Sequence, residues 1–250
     1  MRRFILCCLL CLNLAQAQEQ VGWREAQLLN EVVSRGQLLS ASALLYFDPV
    51  ARTPDPRSLT AAYYHLNTLA SHVQQLAQPS ALARPLQAMQ RSFAELDGLS
   101  RKERERYPAL LQALLQQQWQ LQQAAAAAYA EAGQPELAQV QLLHQQSLDL
   151  ASLLLDQQVR QYPWPNGAPV PLLGARVQVL DQSVAQRFSG LKLEEQEQQA
   201  LLVKVQRSYQ FVRPMLIDAE AGGQGGAEFY LSRAVMDLDE LAFNLLEAAP

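Results

Sequence analysis

Apolar residues recur at every third or fourth position along nearly the whole chain, and no β-branched run alternates with polar residues over a useful length. That period lines one stripe of a helix, so the chain is predicted to be all-α. The first run holds Leu29, Val32, Gly36, Leu39, Ala43 and Tyr46. Asp48-Pro49 and Thr53-Pro54-Asp55-Pro56 break it, because proline lacks a backbone donor and turns the residue before it away from helix. Ser58 is the expected N-cap of a second helix carrying Leu59, Tyr63, Leu66, Ala70, Val73 and Leu76, which stops near Pro79-Ser80. A third runs from Leu82 through Leu86, Met89 and Phe93 to Leu96 and ends at Asp97-Gly98. Ser100 then caps a long glutamine-rich helix, with Pro108 near its start and an alanine run over Ala124 to Ala128 that lets a neighbour approach closely. Gly133-Gln134-Pro135 ends that helix and begins the next.

The second half follows a similar plan. Leu137 to Val159 reads as helix, followed by a proline-rich connection from Tyr162 to Pro169. Leu173, Val177, Leu180 and Val184 lead to Ser189-Gly190. Leu201, Val205, Ser208, Val212 and Met215 mark a further helix whose end Pro214 bends. Gly222 to Gly226 make a flexible break before a last helix with Leu231, Val235, Leu238, Leu241 and Leu245. The expected architecture is two adjacent antiparallel helix bundles, residues 18–133 and 134–250. An offset of 113 aligns Leu29 with Leu142, Ser34 with Ser147, Pro56 with Pro169 and Leu59 with Leu172. Two readings stay open, a diverged duplication and convergence of bundle patterns.

Residues 1–17 have the order of a secretory signal peptide: Arg2 and Arg3, an apolar stretch from Phe4 to Leu14, and the small-x-small site Ala15-Gln16-Ala17. The stretch is shorter than the roughly 20 residues a membrane span needs. Leu6, Cys7 and Leu10 stand where a lipoprotein signal wants a small residue before its cysteine. A chain processed here loses Cys7, Cys8 and Cys11, all of its cysteines, and packing alone must hold the fold. The expected location is the periplasm or the outside of the cell, with no transmembrane segment in the mature chain.

The net charge of -4 and the lack of a basic stripe argue against nucleic acid. No catalytic motif stands out. There is no Gly-x-Ser-x-Gly elbow and no His-Glu-x-x-His, and no cofactor or metal is expected. His65 and His72 share a helix face about 10 Å apart; they and His144 are expected as partly exposed helix residues. Glu194, Glu195 and Glu197 suit the positive end of a helix. Tyr46, Phe47, Tyr63 and Tyr64 flank one proline-rich loop, and Tyr162 and Trp164 stand in the other. These rings seal the bundle ends or form a patch for a ligand or partner. Arg35, beside the apolar face of the first helix, either reaches to solvent with its stem packed or holds an anion between helices. Arg35, Tyr46, Tyr63 and Trp164 are therefore the candidate binding residues.

The segment Leu29 to Ser40 resembles the opening helix of the type IV pilus chemotaxis-transducer and nitrate-sensor input domain, a periplasmic helical family. Arg35, Leu38, Leu39 and Ser40 fit its pattern. Gln37 replaces the second basic residue, Ser34 the preceding glycine, and Leu148 stands at the aligned place in the second half. The resemblance implies a helical sensing or interaction domain and names no ligand. Ala128 to Ala138 is similar to the turn of a tetratricopeptide repeat, but no companion follows at the 34-residue period, so a helical hairpin is expected. The expected function is non-catalytic binding of an envelope protein. The alternatives are a stand-alone small-ligand sensor and, more distantly, a helical hydrolase.

Overall fold

The structure, a computed structural model, describes residues 2–51, 53–77, 79–132, 137–167, 176–217 and 226–248, with side chains from Gly22 onward. Every regular element among them is helical. The eight α-helices are α1 (Arg2–Tyr46), α2 (Pro56–Gln75), α3 (Ser80–Gly98), α4 (Tyr107–Ala132), α5 (Ala138–Gln161), α6 (Val177–Gly190), α7 (Gln196–Ile217) and α8 (Gly226–Ala248). A 3₁₀ turn, Arg101–Arg106, leads into α4. The helices pack as adjacent bundles, as the apolar period predicts. The junction at 133–136, the connection from 168 to 175 with Leu173, and the glycines from Gly222 to Gly225 lie outside the described residues, as do Pro169 and Leu172.

Local chemistry sets most helix ends. Asp55 caps α2, not Ser58. The Asp55 carboxylate accepts from the Arg57 amide at 2.9 Å, and Pro56 takes the first helical position, where its missing N–H costs nothing. Ser58 is buried one turn further on. The chain leaves α2 through Ala77, whose φ of 59° is left-handed. At the 3₁₀ turn, Glu103 Oε2 accepts from the Ser100 hydroxyl at 2.9 Å and from its amide at 3.3 Å. α7 continues through Pro214 to Ile217.

α1 is the central member. It is buried at every position from Val32 to Leu44, polar residues included, the signature of a helix surrounded by others. It packs against α2, α4, α5 and α8. Glu31 meets His72 on α2, which follows α1 across the short 47–55 link, while Phe47 meets Tyr107 at the start of α4 and Gln37 meets Gln122 further along it, so both neighbours run antiparallel to α1. Gln27 meets His144, Asn30 meets Ser147 and Gln37 meets Ser152, so α5 runs parallel. One apolar core, from Leu29 to Leu246, extends through both bundles. Ion pairs stitch the second bundle: Asp149 to Arg187, Asp181 to Arg213, and Asp237 to Lys204. No helix among the described residues is long and apolar enough to cross a membrane.

Candidate functional site

Five polar residues of α1 recur with the same three-four spacing as its apolar ones: Gln27, Asn30, Glu31, Ser34 and Arg35. They lie along one stripe and face other helices across the core. Arg35 is only 5% exposed, so the guanidinium does not reach solvent. Its Nη2 lies 3.3 Å from Asp239 Oδ2 on α8 and 3.5 Å from Glu31 Oε2. The anions it holds are the protein's own. Ser34 donates to Asp239 Oδ2 at 3.2 Å, and Asn30 donates to the Ser147 hydroxyl at 3.1 Å.

The histidines are not the exposed residues expected from the sequence. His65 is 1% exposed and His144 2%. His72 is mostly buried, with Nε2 2.9 Å from Glu31 Oε2. Gln27 spends its amide N–H groups on Glu31 at 2.8 Å and on the Asp239 carbonyl at 3.0 Å. Its oxygen is therefore left to accept from His144 Nε2 at 2.6 Å, which makes His144 Nδ1 the acceptor for the Tyr129 hydroxyl at 3.1 Å.

Burial drives the titration of this cluster. It holds His65 down to about 3, with Arg35 adding to the shift, and His144 down to about 4, against a partial pull from Glu31. It pushes Asp239 up to about 7 despite the attraction of Arg35. For Glu31 burial is outweighed: His72, Gln27 and Arg35 together hold the carboxyl down to about 2.

The aromatic candidates lie elsewhere, at the end of the bundle where α1 stops. Tyr46 is 11 residues beyond Arg35 on α1, roughly 16 Å along the axis. Phe47 is the centre of a ring cluster, edge-on to Tyr46 at 4.9 Å, to Tyr107 at 5.3 Å and to Phe93 at 6.1 Å. Tyr63 stacks edge-on against Phe93 at 5.1 Å and donates its hydroxyl to Asp97 Oδ2 at 2.6 Å. On the far side of Phe47, Tyr162 donates to the Phe47 carbonyl at 3.3 Å, and its ring lies 4.4 Å from that of Trp164. The Trp164 indole N–H is used locally, on the Val159 carbonyl at 2.8 Å.

Beside this cluster is a cavity of about 130 Å³. Tyr46, Phe47 and Tyr107 form its aromatic wall, Pro54 and Leu99 its apolar side, and Asp97 and Arg101 its charged rim. Comparisons with known proteins add nothing to this geometry: no family model, curated protein or solved structure matches the chain.

Of the four candidate binding residues, then, Tyr46 lines the cavity and Tyr63 fixes its Asp97. Trp164 packs behind the cluster, and Arg35 belongs to the separate interior network. The sequence reading missed Asp97, Arg101 and Tyr107. Asp97 stands in the sequence only as a helix end beside Gly98. The polar stripe of α1 was missed too, although the spacing of Gln27, Asn30, Glu31, Ser34 and Arg35 carries that signal.

Proposed function

We propose that the chain is a non-catalytic helical binding module of the cell envelope, and that it holds one small group in the cavity at the end of the bundle. The observation that carries this reading is the cavity of about 130 Å³ with aromatic walls and two charged side chains at its rim. Its size is close to the ~150 Å³ that encloses a benzene ring and well below the ~300 Å³ where pockets for larger ligands begin. The envelope location rests on the leader pattern of residues 1–17. The resemblance of the Leu29–Ser40 segment to a sensor input helix supports the same class. The interior network has a different task in this reading. Its guanidinium already faces two carboxylates, so it secures α8 to α1 and keeps the cavity-bearing bundle joined to the second one.

A second reading has its own support. Phe211, Phe229 and Tyr230 are 57%, 62% and 39% exposed; the Phe211 ring on α7 meets Tyr230 on α8 at 4.9 Å, and Phe229 lies beside Tyr230 on α8 at 5.5 Å. Exposed aromatic groups of this kind favour a protein partner.

The experiment is recovery of the tagged protein, expressed as the full chain, from its own envelope fraction, with mass spectrometry of bound small molecules and proteins. A Leu99→Trp variant fills the cavity, and a Phe211→Ser/Phe229→Ser variant removes the patch. A small molecule lost only from the Leu99→Trp protein supports the first reading. A protein partner lost only from the patch variant overturns it in favour of the second.

A further inference from the structure

We infer that the outer face of α8 docks against the same face of a second copy of this chain, antiparallel about a two-fold axis at Met236. This surface is separate from the cavity, so the dimer and the reading of the cavity stand or fall independently.

α8 carries two stripes. Leu231, Val235, Leu238 and Leu241 are buried against α1, α5 and α7. On the outer side, Phe229, Arg233, Met236, Glu240 and Phe243 follow one another in alternating steps of four and three. That alternation is the 3.5-residue period of a coiled coil, which keeps a straight seam turned toward a second helix. Every seventh position of the seam is apolar: Phe229, Met236 and Phe243. Phe229 and Phe243 are 62% and 42% exposed, so the core of this bundle does not use them. The next step, Glu247, is already paired with Arg24 at 3.0 Å, and the seam ends there.

The charges between the apolar positions select the occupant. Arg233 stands three residues before Met236 and Glu240 four after it. A two-fold axis at Met236 sets this residue against its own copy and Phe229 against the partner's Phe243. It also brings Arg233 to within one residue of the level of the partner's Glu240, about 1.5 Å along the axis. Parallel docking would instead set Arg233 on arginine and Glu240 on glutamate. Arg233 Nε lies 2.6 Å from Asp237 Oδ1, and Lys204 lies 3.1 Å from Oδ2 of the same carboxylate. One acid thus faces two cations, a positive surplus that the partner's Glu240 offsets. Both ends of the seam are aromatic. Tyr230 and Phe211 extend the Phe229 end, and Trp23 stands edge-on to Phe243 at 6.5 Å. The two-fold axis joins one such end to the other, which suits the aromatic core of a protein interface.

The test is sedimentation equilibrium of the protein expressed as the full chain, unaltered and in two variants. Arg233→Glu puts like charges together across the axis as glutamates, and Glu240→Arg does so as arginines. The unaltered protein should be dimeric at about 100 µM, and each variant alone should associate about tenfold or more weakly. An equal mixture of the two variants should dimerise again, because each arginine then meets a glutamate. Only an antiparallel pairing in this register gives that rescue. If Arg233→Glu fails to fold beside Asp237, Glu240→Arg alone still decides, with the exposed Glu105→Arg as the control that stays dimeric. A monomeric unaltered protein at about 100 µM overturns the inference, as does a dimer that Glu240→Arg leaves unchanged. A monomer that retains a different protein through Phe211 and Phe229 assigns the face to that protein and overturns it as well.

Discussion

Arg35 Nη2 lies 3.3 Å from Asp239 Oδ2, so a guanidinium on the central helix meets a carboxylate on the last helix inside the core. Asp239 is 2% exposed and Arg35 5%, so neither charge has water to fall back on. Removing Arg35 leaves Asp239 buried without its cation, and removing Asp239 leaves the buried guanidinium only Glu31, at 3.5 Å. Asp239→Ala and Arg35→Ala should each cost about 3–5 kcal/mol in urea unfolding. Arg35→Met combined with Asp239→Leu should cost clearly less than the sum of the single losses, since it leaves no buried charge unpaired. Single variants costing under about 1 kcal/mol would mean that the pair holds nothing together.

The same cluster sets a pH dependence whose parts have opposite signs. His144 and His65 stay neutral in the fold, held down to about 4 and about 3 from an ordinary 6.5. As pH falls below 6.5, the unfolded chain takes up protons that the folded one refuses. Each histidine then removes stability at about 1.4 kcal/mol per pH unit. Asp239 acts the other way. Its carboxyl is pushed up from 3.8 to about 7, so below 7 the folded chain holds a proton that the unfolded chain has lost. Its contribution is present at low pH and disappears as pH rises toward 7. Between about pH 4.5 and 6.5, Asp239→Asn should steepen the acid loss of stability, and His144→Gln should flatten it. Urea midpoints across that range check both; an unchanged slope in Asp239→Asn would contradict the assignment.

Gly36 sits where α1 crosses α4. A Cβ added there would stand 3.6 Å from Leu121 Cδ2 and 3.7 Å from Gln118 Cγ, which is ordinary contact. Gly36→Ala should therefore stabilise the protein by about 0.5–1 kcal/mol through helix propensity. Gly36→Leu should cost about 1–3 kcal/mol by forcing the helices apart. Thermal melts of the two variants should move in opposite directions, and a loss in Gly36→Ala would show a tighter crossing than these distances.

The start of α2 distinguishes two caps. Asp55→Ala should lower the melting temperature, because it frees the Arg57 amide that the carboxylate holds at 2.9 Å. Ser58→Ala removes no cap and should lower it less. The reverse order in thermal melts would restore Ser58 as the cap.

That cap shows what was legible in the sequence. Asp55 and Ser58 are both good N-cap residues, and only the demand of Pro56 for the first helical position decides between them. The helices themselves were plain, because each has to bury an apolar stripe of its own. The ends of α1 and α3 followed from Asp48-Pro49 and from Asp97-Gly98. The polar interior was harder. Its partners on α5 and α8 are more than 100 residues from Gln27, Asn30 and Ser34, and no local pattern pairs them. Half of that signal was nonetheless in view, since polar residues at helical spacing on a helix destined for the core require buried partners. At the cavity, Tyr46 and Tyr63 stood out as rings beside a proline-rich loop. The role of Asp97 emerges only when folding brings it to Tyr63, 34 residues away.

The most direct measurement is a fluorine spectrum of the protein with 3-fluorotyrosine in place of tyrosine, recorded before and after addition of the small-molecule fraction of its envelope. The account expects the Tyr46 and Tyr107 resonances to move and those of Tyr209 and Tyr230 to stay, with the movement abolished by Leu99→Trp. Movement at Tyr230 alone, or none at any ring, would contradict the assignment of function to the cavity at the end of the bundle.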